Sequence, residues 1–143
     1  MKVAIRRMSG AEDIPLPKYM TEGSVGMDLY AAVDGGVIVK PGEIKLVPTG
    51  ISVAIPPGYE AQIRPRSGLS LKGISIVNSP GTIDSDYRDE VKVILINLGA
   101  DAMAIKRGDR IAQMVVNKVE RVEWDLVDQL PPTERKGGFG STG

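Results

Sequence analysis

The sequence predicts an all-β protein, a jelly-roll-like sandwich or barrel of short strands, with at most one short helix and a flexible C-terminal tail. Three observations carry this expectation. Short apolar runs rich in Val and Ile recur along the chain, with the length and composition of strands. The 17 glycines and 10 prolines punctuate them, often together as in Pro41-Gly42, Pro57-Gly58 and Pro80-Gly81, and such pairs signal turns. Phe, Trp and Tyr make up only 4% of residues, so the core must be built from Val, Ile, Leu and Met.

The elements follow in order. Val3 and Ile5 alternate with Lys2, Ala4 and Arg6, as in a half-buried first strand. Pro15 and Pro17 forbid a helix and force an extended segment. After a loop over residues 21–26, Met27 to Ala32 returns to a strand pattern. Val37-Ile38-Val39, Ile44 to Val47, Ile51 to Ile55 and Tyr59 to Arg64 are further strands, separated by turns at Pro41-Gly42, Pro48-Thr49-Gly50 and Pro56-Pro57-Gly58. Ser67 to Lys72 suits a single helical turn. Ile74 to Val77 and Val91 to Ile96 read as buried strands flanking a polar hairpin that turns at Pro80-Gly81. Met103-Ala104-Ile105 and the long apolar run Ile111 to Val119 complete the set. The length, 143 residues, suits one domain and can bury a core without staples. Residues 1–130 are read as that domain, and 131–143 as its Gly-rich mobile arm, joined through Leu130-Pro131-Pro132.

Composition narrows the chemistry. Cysteine and histidine are both absent, which removes disulfides, thiolate chemistry and the commonest general base. Acid–base work must fall to Asp, Glu, Lys or Tyr, and any metal is expected to be a hard cation held through oxygen, such as Mg²⁺. Basic and acidic residues balance at 18 each, which argues against bulk-charge binding to nucleic acid. No apolar run reaches membrane-spanning length, and the N-terminus lacks an apolar signal core. A soluble, cytoplasmic protein is expected.

Five polar stretches sit in Gly- or Pro-bearing surroundings. The first contains Asp28, on its own an ordinary surface carboxylate of an alternating strand. The second is Pro65-Arg66-Ser67-Gly68-Leu69, where a forked guanidinium precedes a helical turn capped by Ser67. The third is the hairpin from Asn78 to Glu90, with Asp84, Asp86, Tyr87, Arg88 and Asp89 crowded together. Crowded charges are costly unless they face water, a cation or a ligand. The fourth is Arg110-Ile111-Ala112-Gln113, where alternation puts Ile111 and Gln113 on one face and Ala112 on the other. Gln113, if buried, must bond a neighbouring loop or a ligand. The fifth is the tail, whose Gly-freed amides and Ser141 and Thr142 hydroxyls could wrap phosphates while Phe139 stacks on a base. Together these supply anion donors, an acidic centre and aromatics for a nucleoside.

These five stretches, in this order, resemble the five motifs of the trimeric dUTPase (deoxyuridine triphosphatase) family. The resemblance runs from Gly26-Met27-Asp28-Leu29 to Gly138-Phe139-Gly140-Ser141-Thr142-Gly143, nearly the whole chain. It implies a jelly roll that assembles as a homotrimer with shared sites. It also implies Mg²⁺-dependent hydrolysis of dUTP to dUMP and pyrophosphate. By that resemblance Asp84 activates the water that attacks the α-phosphorus. Asn78 and the backbone of Gly81, Thr82 and Ile83 read uracil, and Tyr87 packs under the deoxyribose. Arg66, Ser67, Gly68 and Gln113 hold phosphates, and Asp28 holds waters around the Mg²⁺. Arg135, Ser141 and Thr142 grip the γ-phosphate, Gly140 lies with them, and Phe139 stacks on the base. The chain departs from the family pattern at Asp89, where Gly is usual, and in the short spacing from Arg135 to Gly137. Related families use this fold for dCTP deamination, for which Glu90 is the candidate acid; a catalytically silent trimer is the remaining alternative.

Overall fold

The computed structural model describes residues 1–134 and 137. Eleven strands and one helical turn form the packed part: β1 Ala4–Arg7, β2 Met27–Tyr30, β3 Val37–Val39, β4 Ile44–Pro48, β5 Ile51–Ala54, β6 Tyr59–Arg64, α1 Ser67–Ser70, β7 Ile74–Ile76, β8 Gly81–Ile83, β9 Lys92–Asn97, β10 Met103–Ile105 and β11 Arg110–Lys118. The larger sheets run β2-β11-β6-β8 and β4-β9-β7; β1-β5 and β10-β3 form two-stranded ribbons. Every pairing is antiparallel. Inward positions of all these sheets meet in one aliphatic core that includes Leu29, Val39, Val47, Ile63, Leu95 and Ile111. Asn97 is buried there and fully satisfied: its amide donates to Val39 O and Asp101 O, and its carbonyl accepts from the Gly99 amide. Gly73, at φ 84°, lies so close to Gly99 that a side chain would overlap backbone. That contact explains why a residue without Cβ ends the helical segment.

Four sequence expectations are corrected. The first strand is not half-buried; all four residues of β1 are exposed, Ile5 at 40%. The reason is position: among the described residues β1 pairs only with β5, in a two-stranded ribbon at the edge of the fold. Second, residues 78–91 are not a simple hairpin tip. Ile74–Ile76 does pair with β9, but the chain then crosses to the other sheet, where Gly81–Ile83 forms the edge strand β8 against β6. Pro80-Gly81, with Ser79-Pro80 in cis, is the entry to that strand. Third, Arg66, not Ser67, is the N-cap of α1, and no side chain caps it. Fourth, Ile111 and Ala112 are both buried, because a register shift against β2 falls between Arg110 and Ala112. Past Lys118 the described residues form no further element, and residues 120–134 are all exposed. Val122, Trp124 and Leu126 alternate there with their side chains uncovered.

Candidate active site

The phosphate end of the expected site is built on one row of a sheet. Gln113 of β11 lies opposite Asp28 of β2 on one side and Arg64 of β6 on the other. Directly opposed residues share a face, so all three point away from the core. Asp28 is held from both sides. Its Oδ1 accepts from Arg66 Nε at 2.7 Å and its Oδ2 from an Arg110 terminal nitrogen at 3.2 Å. Only 13% of the Asp28 side chain is exposed, which strengthens these charged bonds relative to surface pairs. Arg66 also donates to the Arg110 carbonyl at 3.3 Å. A cleft of about 290 Å³ opens beside them, walled by Arg66, Leu69, Lys72, Ile105 and Arg110 among others. Ser67 and Gly68, at the start of α1, are exposed next to Arg66.

Gln113 makes the loop bond foreseen from its sequence setting: its amide donates to Pro65 O at 2.8 Å, tying β11 to the segment that carries Arg66. Gly26 leaves the room for it. A Cβ at residue 26 would overlap Gln113 Oε1.

The residues expected to meet the nucleoside lie on the 78–91 segment. Gly81 is buried in β8 opposite Ile63, and a Cβ there would sit 3.2 Å from Asn78 Nδ2. Asn78, Thr82, Asp84 and Tyr87 are exposed, and Ile83 is half-buried against the core. The Tyr87 hydroxyl donates to Glu90 O at 2.9 Å, and its amide to Asp84 O at 3.2 Å. These bonds curl the chain so that Tyr87 and Asp84 sit on one tight turn. Arg88 donates to the carbonyls of Ser85 and Tyr87, which steadies the same turn. Asp84 lines a cleft of about 460 Å³ with Tyr59, Glu60, Asp86, Val119 and Arg121. This cleft and the Arg66–Arg110 cleft share no residue. Glu90 is tied into the fold, accepting from the Gly50 amide at 2.9 Å with Lys92 Nζ at 3.8 Å. These contacts tie Glu90 to the Gly50 turn and give it a structural role. Asp89 is exposed.

The structure thus brings Asp28, Arg66 and Gln113 together, and gathers Asn78, Gly81, Asp84 and Tyr87 on one segment. Arg135, Phe139, Gly140, Ser141 and Thr142 lie outside the described residues. Arg110 is the residue that sequence reading passed over. The available signal was its place at the head of the fourth stretch, three residues before Gln113. Among the described residues no group of three or more Asp or Glu could hold a metal ion.

A sequence profile of the dUTPase family matches residues 12–143. The chain is 59% identical over 141 residues to the deoxyuridine 5'-triphosphate nucleotidohydrolase of Caldanaerobacter subterraneus, covering 97% of this chain and 95% of that one. It is 61% identical over 130 residues to the protein of the same name from Rickettsia canadensis, covering 90% and 88%. Among solved structures it is similar to the Staphylococcus bacteriophage 80alpha dUTPase with dUpNHpp, at a TM-score of 0.89 and 24% identity over 99% of this chain and 98% of that one. It is also similar to a mutant dUTPase of phage phi11 of S. aureus, described with a structural Mg(II) ion, at a TM-score of 0.81 and 22% identity over 90% and 98%. At these identities the solved structures bear on the fold.

Proposed function

The chain belongs to the dUTPase family, and from that premise we infer that it hydrolyses dUTP to dUMP and pyrophosphate, with Asp84 activating the attacking water. The observation that carries the reading is the convergence of Asp28, Arg66, Arg110 and Gln113 from two strands and a loop, beside a basic cleft. Two guanidiniums around one carboxylate leave net positive charge, which suits a triphosphate and not a neutral substrate.

With no His or Cys in the chain, a carboxylate is the natural base at neutral pH. Asp84, exposed on the Tyr87 turn, takes the proton from water as the oxygen attacks the α-phosphorus, and pyrophosphate leaves. Arg66, Ser67, Gly68 and Gln113 hold the phosphates. Asn78 and the backbone of Gly81, Thr82 and Ile83 read the uracil edge. Tyr87 packs against C2′ and excludes a 2′-hydroxyl. Arg135, Phe139, Gly140, Ser141 and Thr142 close over base and γ-phosphate.

The donor set fits Mg²⁺ carried in on the triphosphate, not an ion caged by protein, since no carboxylate cluster exists among the described residues. Asp28 would hold the ion's waters through the lone pairs its two arginines leave free. The ion, when bound, neutralises phosphate charge.

By the family resemblance the complete site is read as one shared between copies in a homotrimer; the Asp84 cleft and the arginine cleft, which share no residue, suit that reading. The arm, residues 131–143, spans about 45 Å when extended, long enough to serve a neighbour. The packed domain and this arm are read as one functional unit. No helix among the described residues is long and apolar enough to cross a membrane; the proposed substrate belongs to the free nucleotide pool of the cytoplasm, with no nucleic-acid or membrane partner.

Pyrophosphate release from dUTP, dTTP, dCTP and UTP by purified protein, alongside Asp84→Asn, tests the reading. Turnover of dUTP should fall about 10²–10⁴-fold in the variant, the usual worth of a general base, with affinity changed much less. Near-normal turnover would remove Asp84 from its role.

A further inference from the structure

We propose that Arg110 is a positioning residue of the phosphate site, aimed at Asp28 by a β-bulge at Ile111; the proposal rests on the dUTP hydrolysis reading above. The bulge is visible in the register. Met114, Gln113 and Ala112 face Met27, Asp28 and Leu29 in unbroken succession. Continued, that succession would set Ile111 opposite Tyr30. Arg110 occupies that place, so Ile111 is one residue too many for β2.

The extra residue changes which way the next side chain points. Side chains alternate along a strand, so counting back from Gln113 would put Ile111 on the polar face and Arg110 in the core. The bulge reverses both. Ile111 is 1% exposed beside Ala112 in the core, and the Arg110 guanidinium reaches Asp28 Oδ2 at 3.2 Å. Bulges beside active sites commonly re-aim a side chain in this way.

Arg110 touches both partners of the site. Its guanidinium holds one oxygen of Asp28, and its carbonyl accepts from Arg66 at 3.3 Å. Arg66 in turn holds the other Asp28 oxygen at 2.7 Å. With both oxygens bound, the carboxylate cannot rotate, and the fork of Arg66 is fixed toward the cleft. Without Arg110, Oδ2 loses its partner and Asp28 can turn about its terminal bond, carrying Arg66 with it. A Lys could supply the charge but not the planar fork.

Steady-state kinetics with dUTP on wild type, Asp28→Asn, Arg110→Gln, Arg110→Lys and the Asp28→Asn/Arg110→Gln double variant tests this. Arg110→Gln should raise KM about 10-fold, the size of one charged hydrogen bond, with kcat lowered less. Arg110→Lys should recover part of that loss. In the double variant the second change should add less than about twofold to Asp28→Asn, since a residue acting through Asp28 has nothing left to position. Losses that multiply, or Arg110→Gln with a lowered Tm and wild-type KM, would overturn the proposal. If Arg110→Gln fails to fold, Arg110→Lys carries the same cycle. Wild-type turnover of dUTP reports on the underlying reading, and loss confined to the variants reports on Arg110.

Discussion

Replacing Gly26 by Ala puts one methyl group where Gln113 Oε1 now sits, and so disturbs a proposed phosphate-holding side chain without substituting it. The added Cβ would also lie 3.2 Å from Gln113 Cδ and 3.4 Å from its Cβ, so the whole side chain must move. It cannot move freely, because its amide is bonded to Pro65 O at 2.8 Å and its row neighbours Asp28 and Arg64 flank it. Losing that bond costs about 0.5–1.5 kcal/mol, and an off-rotamer compromise costs a similar amount. Ala stiffens the unfolded chain and returns about 0.4–1 kcal/mol. The net loss is on the order of 1–2 kcal/mol, which for a chain of this size lowers Tm by about 2–8 °C. Activity should suffer more than stability. A displacement of about 1 Å in a group that positions substrate can cost up to about 10²-fold, so kcat/KM for dUTP should drop about 10- to 100-fold. Calorimetry and steady-state kinetics on the same preparation give both numbers. A lowered Tm with unchanged kcat/KM would show that Gln113 only ties β11 to Pro65. No change in either would refute the close approach itself.

Tyr87 is pinned through its hydroxyl to Glu90 O at 2.9 Å, and the residue is 36% exposed; Tyr87→Phe should keep the preference for dUTP over UTP and Tyr87→Ala should abolish it, read as a ratio of kcat/KM values. Arg107 binds both oxygens of Asp13 and holds its carboxyl below the usual carboxylate range. A depressed pKa contributes stability that is present above the unfolded value, about 3.9, and lost as pH falls through the folded one. The Tm difference between wild type and Asp13→Asn should therefore be present at about pH 6 and shrink as pH falls below the unfolded carboxylate value, about 3.9, as a pH series of melts would show. Truncation after Pro132 should leave the assembly folded and cripple turnover, and mixing that chain with Asp84→Asn chains should restore activity if the arm serves a neighbour. Mixed assemblies, verified by mass, that stay inactive would place the arm on its own subunit.

The strands were legible because Val and Ile runs between Gly and Pro turns have few other uses. Tyr59–Arg64 and Val37–Val39 appear with the bounds their sequences imply. What stayed hidden depends on partners far away in sequence. Residues 78–83 read as a turn because Pro80-Gly81 is a turn signal locally, yet β8 is defined by β6, which only the folded sheet supplies. Exposure of Ile5 could not be read from alternation, since alternation says that a strand has two faces but not that something covers one. The bulge at Ile111 left no local trace, because Ile and Ala suit a strand whether they alternate or not. The candidate site residues were found as types in motifs, but their pairing was not: Asp28 meets Arg66 across 38 residues and Arg110 across 82. A missing Ser67 cap belongs with these, since whether a hydroxyl bonds an amide depends on the backbone angle at Arg66.

Trp124, described above on the uncovered stretch after β11, is the chain's single tryptophan and is 89% exposed. Its indole therefore makes the protein's near-ultraviolet emission a report from one position, and that position lies outside the core. Emission from this chain alone should resemble that of indole in water and be open to collisional quenchers, even while every strand is intact. Unfolding of the core should then leave the tryptophan spectrum almost unmoved, while anything that covers residues 122–126 should shift it to shorter wavelength. The same fluorophore would be a poor melt probe and a direct, label-free gauge of contact.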